Sequence, residues 1–248
     1  MPHRYIENTI SAVVVFLIMG YVSSLIPFPS DLRFLAVLIG CLVATPIYFT
    51  ILLFYLKARD RRFINKEYEH IRQNDYDAVL ILLDKAIKRQ PRLLWLQIER
   101  AIVFGYEGDL NNFYRIYESV HGQKTFEKAF NHLNLMILRD VIMLLQDNLA
   151  TVSFADLKEE NVEKNSWPAF FQLYHIMQSY IAADYYDAIK RAEKLVSARI
   201  DIFKFFASFV LFRSYEALRD GENALIYKKE YLSNPLAGKF QEFETRID

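Results

Sequence analysis

Cys41 is the one cysteine of this 248-residue chain. An intramolecular disulfide and a cysteine-based metal site are thereby excluded. Glycine is nearly as scarce, with seven in all, which leaves little for ligand-cradling turns. No Gly-rich phosphate loop, His-Glu-x-x-His pair or Gly-x-Ser-x-Gly elbow occurs. His3, His70, His121, His132 and His175 are scattered without metal-ligand spacing. Charge of one sign is missing too: 30 basic side chains balance 30 acidic ones. Nucleic-acid binding needs a clustered excess of Lys and Arg to neutralise phosphates, so no nucleic acid is expected as a partner. The chain also lacks an Asn-x-Ser/Thr glycosylation site. Nothing here selects an enzyme, a metal or a cofactor.

Long apolar runs are what the sequence does have. Thr9–Ile26 and Phe34–Leu56 carry no Asp, Glu, His, Lys or Arg and each reaches the ~17–25 residues that cross a bilayer as a helix. Pro27, Pro29 and Asp31 occupy the short link, which predicts an antiparallel transmembrane hairpin over 1–56. Gly20 with Ser24 and Gly40 with Ala44 are small residues four apart that allow close helix approach and helix–helix self-association. Pro46 bends the second span. With no Asp, Glu, His or Lys at mid-depth, the hairpin reads as an anchor rather than a transport path. Lys57, Arg59, Arg61, Arg62 and Lys66 follow the second span, so both termini are expected on the cytoplasmic side of a plasma membrane, in a bacterium by the general vocabulary of the chain. The same five residues form a basic juxtamembrane helix over 57–73 that can meet anionic membrane lipids. Reading the first run as a cleaved signal peptide is the alternative, and it leaves the rest of the chain on the same side.

Residues 74–248 read as helical. NDYDAVLILLDKAIKRQP, from Asn74 to Pro91, places Val79, Leu82, Leu83, Ala86 and Ile87 on one helix face. GDLNNFYRIYESV follows, and Asp75/Asp109, Tyr76/Leu110, Val79/Phe113, Leu83/Tyr117 and Ala86/Val120 are each 34 residues apart. Further copies are ADYYDAIKRAEKL, with Asp184, Tyr185, Ala188, Ala192 and Leu195, and DGENALIYKKEYLSNP, with Ala224, Tyr231 and Pro235. These residues and this period resemble the tetratricopeptide repeat (TPR) family. The later spacing of 36, from Ala188 to Ala224, and the loose fit of 121–168 make the resemblance a degenerate one. In the polar stretch 151–167, Ser153 and Asp156 are spaced as a helix cap, and Ser166 with Pro168 opens the next helix. The expected fold is all-α: a two-helix transmembrane hairpin followed by a degenerate TPR-like α-solenoid.

The resemblance implies a partner-binding concave face lined by the first helix of each pair. Carried over position by position, it points to Trp95, Ile98 and Ile102 in one unit and Phe170, Leu173, Met177 and Tyr180 in another. This set is apolar and lacks the Lys, Asn and Arg with which the chaperone-binding subclass clamps a terminal carboxylate. The function implied is a membrane-tethered protein–protein interaction scaffold at the cytoplasmic face, with membrane-associated protein partners. The alternative is a regulatory receptor that binds a peptide or a lipid headgroup in the same groove.

Overall fold

The computed structural model describes residues 62–129, 131–146, 157 and 159–244, the side chains of 241–244 excepted. The apolar runs at 9–26 and 34–56, with Lys57, Arg59 and Arg61, lie outside these residues, as do Ser153 and Asp156. Among the described residues no helix is long and apolar enough to cross a membrane. The chain divides into two units, Met1–Glu67 and Tyr68–Asp248; the described residues belong to the second, apart from 62–67 at the end of the first.

Every regular element among the described residues is helical, as an all-α chain requires. They are α1 (62–72), α2 (Tyr76–Arg89), α3 (Leu94–Glu107), α4 (Leu110–His121), a 3-10 turn (Phe126–Lys128), α5 (His132–Leu145), α6 (Glu159–Asn165), α7 (Pro168–Ile181), α8 (Tyr185–Ala192), α9 (Asp201–Ala217), α10 (Gly221–Ser233) and α11 (Leu236–Glu244).

One turn is built four times. Asn74, Gly108, Ala183 and Arg219 adopt positive φ of 54°, 77°, 57° and 61°. Each is followed by an aspartate, and Asp75, Asp109, Asp184 and Asp220 cap α2, α4, α8 and α10 by accepting the backbone N–H three residues on. Each aspartate's own N–H donates to a carbonyl five residues back, on His70, Phe104, Ser179 and Tyr215, at 2.9–3.0 Å. The left-handed residue ends one helix and the aspartate starts the next, satisfying groups that both helix ends leave open. The result is four helical hairpins: α1–α2, α3–α4, α7–α8 and α9–α10. Val79 and Leu83 are buried on α2, and their counterparts Phe113 and Tyr117 are buried on α4, so the 34-residue register seen in the sequence is a packing register.

The hairpins pack around α9. Eleven of its seventeen residues are buried, five of them phenylalanines. It touches α3, α5, α7, α8, α10 and α11. Phe203 of α9 meets Tyr106 of α3 edge-on at 5.7 Å and Phe170 of α7 at 5.5 Å. Tyr106 in turn stacks on Phe170, and Trp167 closes the cluster. Chain-distant polar contacts join early and late segments of the domain. Asn74 in the first turn donates to the Arg199 carbonyl at 3.2 Å, just before α9. Lys239 of α11 donates to the Glu107 carbonyl at 2.6 Å, at the negative end of α3.

Left-handed backbone costs a residue with a Cβ about 1–2 kcal/mol, part of which glycine returns as unfolded-state entropy. Ala183→Gly is expected to stabilise the chain by up to about 1 kcal/mol. Gly108→Ala should destabilise it by a larger amount, because its Cβ would also lie 3.0 Å from Leu236 Cδ2. Denaturant unfolding of the two variants checks the signs; equal effects would show that these turns are not under backbone strain.

Candidate functional site

The residues expected to line an open concave face lie at the centre of the fold. Ile98 and Ile102 on α3, and Phe170, Leu173 and Met177 on α7, are buried at 0–1% exposure. Here they pack as core: α3 lies against α2, α4 and α5, α7 lies against α5 and α8, and α9 touches both. Trp95 and Tyr180 keep partial exposure. Of the basic run, Arg62 and Lys66 are described; both are exposed on α1.

A polar chain crosses this otherwise apolar interior. The backbone N–H of Trp167, which precedes α7, donates to Asn134 Oδ1 on α5 at 3.0 Å. Asn134 Nδ2 donates to Asn131 Oδ1 at 3.0 Å, and Asn131 Nδ2 donates to Glu99 Oε1 on α3. Asn131 holds φ of 64° at the start of α5 and is buried, as are Asn134 and Glu99. Donors and acceptors alternate without mismatch until Glu99, whose second oxygen, Oε2, has no hydrogen-bond partner. An ionised carboxylate there keeps uncompensated lone pairs, whereas a protonated one needs a single acceptor. Burial accordingly raises the Glu99 carboxyl from its ordinary 4.5 to about 7, against the lowering effect of the Asn131 hydrogen bond.

Glu99 is the polar residue that sequence reasoning missed. Its signal was present: α3 reads LWLQIERAIVFGYE, apolar nearly all round, and an acidic residue in such a helix has no solvent face to occupy.

The outer surface differs in kind. Tyr186 on α8 is 76% exposed, and on α10 Leu225, Ile226 and Leu232 are 54%, 53% and 49% exposed. Leu225 and Leu232 are seven apart and share a face. Between α9 and the first two turns of α10 lies a groove of about 290 Å³, lined by Phe212, Glu216, Arg219, Gly221, Ala224, Leu225 and Lys228. No cluster of metal-ligating side chains is found among the described residues. The other strongly perturbed groups are tyrosines: burial pushes Tyr76 and Tyr114 up, and each hydroxyl donates a hydrogen bond, to Asn74 and to Gln146.

The folded chain binds the Glu99 proton more tightly than the unfolded chain does. The stabilisation from this proton is complete below about pH 4.5, declines as the pH rises and is gone beyond about pH 7. At 1.36 kcal/mol per pH unit the difference is on the order of 3 kcal/mol. Glu99→Gln, which mimics the neutral acid, should match the parent near pH 4.5 and be the more stable chain at pH 8. Urea unfolding of both across that range checks it, and parallel profiles would remove Glu99 as the titrating group.

The chain matches no family model, no curated protein and no solved structure.

Proposed function

We propose that the chain is a membrane-tethered protein–protein interaction scaffold, anchored by the apolar runs at 9–26 and 34–56. Its degenerate TPR-like helical domain lies at the cytoplasmic face and holds membrane-associated partners there. Tethering raises the local concentration of a partner beside membrane clients. The tether rests on the length and charge-free character of the two runs and on the basic residues that follow them. The repeat reading rests on the fourfold left-handed-residue–aspartate turn.

One observation carries the interaction reading: Ile98, Ile102, Phe170, Leu173 and Met177 are buried, while large apolar side chains stand exposed on α8 and α10. Exposed large apolar side chains are the kind of surface on which a protein partner docks; Ile81 on α2 and Ile181 on α7 are exposed as well. A receptor that takes a peptide or lipid headgroup on the concave face needs an opening there. Side chains with no exposed surface at Ile98, Ile102, Phe170, Leu173 and Met177 do not supply one.

Site-specific photo-crosslinking in native membranes tests this. A benzophenone side chain at Tyr186, Leu225, Ile226 or Leu232 is expected to give discrete protein adducts, whereas one at Trp95 or Tyr180 is expected to give none. Adducts confined to the latter pair would return the interaction to the concave side. An absence of adducts at every outward position would remove the scaffold reading.

A further inference from the structure

The chain enters the second unit at Tyr68, which meets Trp167 edge-on at 6.4 Å. From there it runs along α1 to the left-handed turn at Asn74 and returns along α2, so α2 ends on the side from which the chain enters. Its last turns, the connection at 90–93 and the start of α3 make a corner on that side. Tyr68 follows Leu56, the end of the second apolar run, by twelve residues, and the last six before it are helical. At about 3.5 Å per extended residue and about 1.5 Å per helical one, at most about 30 Å of chain separates the two.

This corner is basic without compensation. Lys85, Lys88, Arg89 and Arg92 fall between Asp84 and Glu99, with no Asp or Glu among them. All four are exposed, and none makes a side-chain hydrogen bond or ion pair among the described residues. Asp84 is paired with Arg100 at 3.2 Å, and Glu99 is buried. The α4–α5 connection, beyond the other flank of α3, is balanced, with Lys124 and Lys128 against Glu118 and Glu127. α6 carries Glu159, Glu160 and Glu163 against Lys164, and it packs on α7. The positive charge is therefore local to the α2–α3 corner. Lys85, Lys88 and Arg89 stand at i, i+3 and i+4 on one face of α2, where like charges repel and destabilise a helix. The negative end of the α2 dipole offsets this for Lys88 and Arg89 in its last turn. It does not reach Lys85, a turn earlier, or Arg92, which lies beyond the helix.

We propose that the α2–α3 corner binds the headgroups of anionic phospholipids and holds this side of the domain against the bilayer. The assignment rests on the tether of the scaffold reading and adds a second attachment to it. Four cations within eight residues make a cluster of the size that attracts anionic lipid. The tether already keeps the corner near the membrane, so the contact forms at high effective concentration and weak individual headgroup contacts suffice. With one attachment the domain can turn any face to a partner; with two it presents a fixed one.

The test uses the full chain in nanodiscs of phosphatidylcholine, with or without phosphatidylserine. A bimane on Gln90→Cys, in a chain carrying Cys41→Ser, reports approach to the bilayer through quenching by a nitroxide-headgroup lipid. Quenching is expected to rise about threefold when phosphatidylserine is added, and to fall back in high salt. Lys85→Glu with Arg92→Glu should abolish the rise, and Lys85→Gln with Arg92→Gln should about halve it. Both pairs leave Lys88 and Arg89 on the helix end, and both should leave the thermal transition in place. Equal quenching in the two bilayers, or a rise undiminished by the charge reversal, would overturn the proposal. A benzophenone at Gln90 that gives protein adducts and no lipid adducts in native membranes would overturn it in favour of an acidic protein. A chain retained in the nanodiscs without any dependence on phosphatidylserine loses only this corner; a chain that the nanodiscs do not retain loses the tether, and the proposal with it.

Discussion

A helix that is apolar on every side can be satisfied only by being surrounded, and α9 imposes that condition on the rest of the domain. Its sequence, DIFKFFASFVLFRSYEA, puts eleven buried residues, five of them phenylalanines, around most of the axis. A flat stack of helical hairpins would leave one side of such a helix in water. Here α3, α5 and α7 touch α9, as do α8, α10 and α11. The contacts from Asn74 to Arg199 and from Lys239 to Glu107 accompany this packing and join segments distant in the chain.

Magnitudes decide whether this closure can be reversed for function. Ile202, Phe203, Phe205, Phe206, Val210 and Leu211 are fully or almost fully buried. At about 1.5–3 kcal/mol each, their exposure would cost on the order of 10 kcal/mol, comparable with the whole stability of a typical domain at about 5–15 kcal/mol. The polar contacts at the rim add about 1 kcal/mol apiece. Withdrawing α9 is thus close to unfolding the domain, and a partner helix of ordinary affinity could not displace it. On the proposed scaffold reading, interaction is left to surfaces already exposed, such as those of α8 and α10.

The hairpin turns were legible in the sequence and the closure was not, for a common physical reason. Asp75, Asp109, Asp184 and Asp220 act locally: a cap is made by a side chain and a backbone group three residues away, so its signal survives without tertiary information. The left-handed residues were less visible, because Ala183 and Arg219 occupy positions where glycine would have announced the turn. Val79, Leu83, Phe113 and Tyr117 could be placed on buried faces because α2 and α4 each keep one polar side. α3, α7 and α9 have little or no such side. Without amphipathic contrast, periodicity says that a helix is buried but not by what, and so Ile98, Ile102, Phe170, Leu173 and Met177 read equally well as groove or as core. The occupant, α9, was hidden by the same uniformity that makes it central.

Aromatic and aliphatic packing around α9 supplies most of the cohesion but little direction, since apolar contacts tolerate small rotations and slides of one helix on another. The chain from Trp167 through Asn134 and Asn131 to Glu99 does not tolerate them. Each link needs one donor opposite one acceptor within hydrogen-bond distance, and shifting α5 by a turn would strand several buried polar groups at once, at a cost of about 1–3 kcal/mol each. Asn131, Asn134 and Trp167 lie where the repeat is least regular, in the 75-residue interval between the turns at Asp109 and Asp184, and reach back to Glu99 on α3. With no left-handed-residue–aspartate turn described there to set the relation of consecutive helices, side-chain hydrogen bonds fix the register of α5 against α3 and α7. The unpartnered Glu99 oxygen is the cost of that arrangement. A fully matched chain would need one more donor on α3's neighbours, and a fully apolar one would give up the directional bonds that hold the three helices in a single alignment.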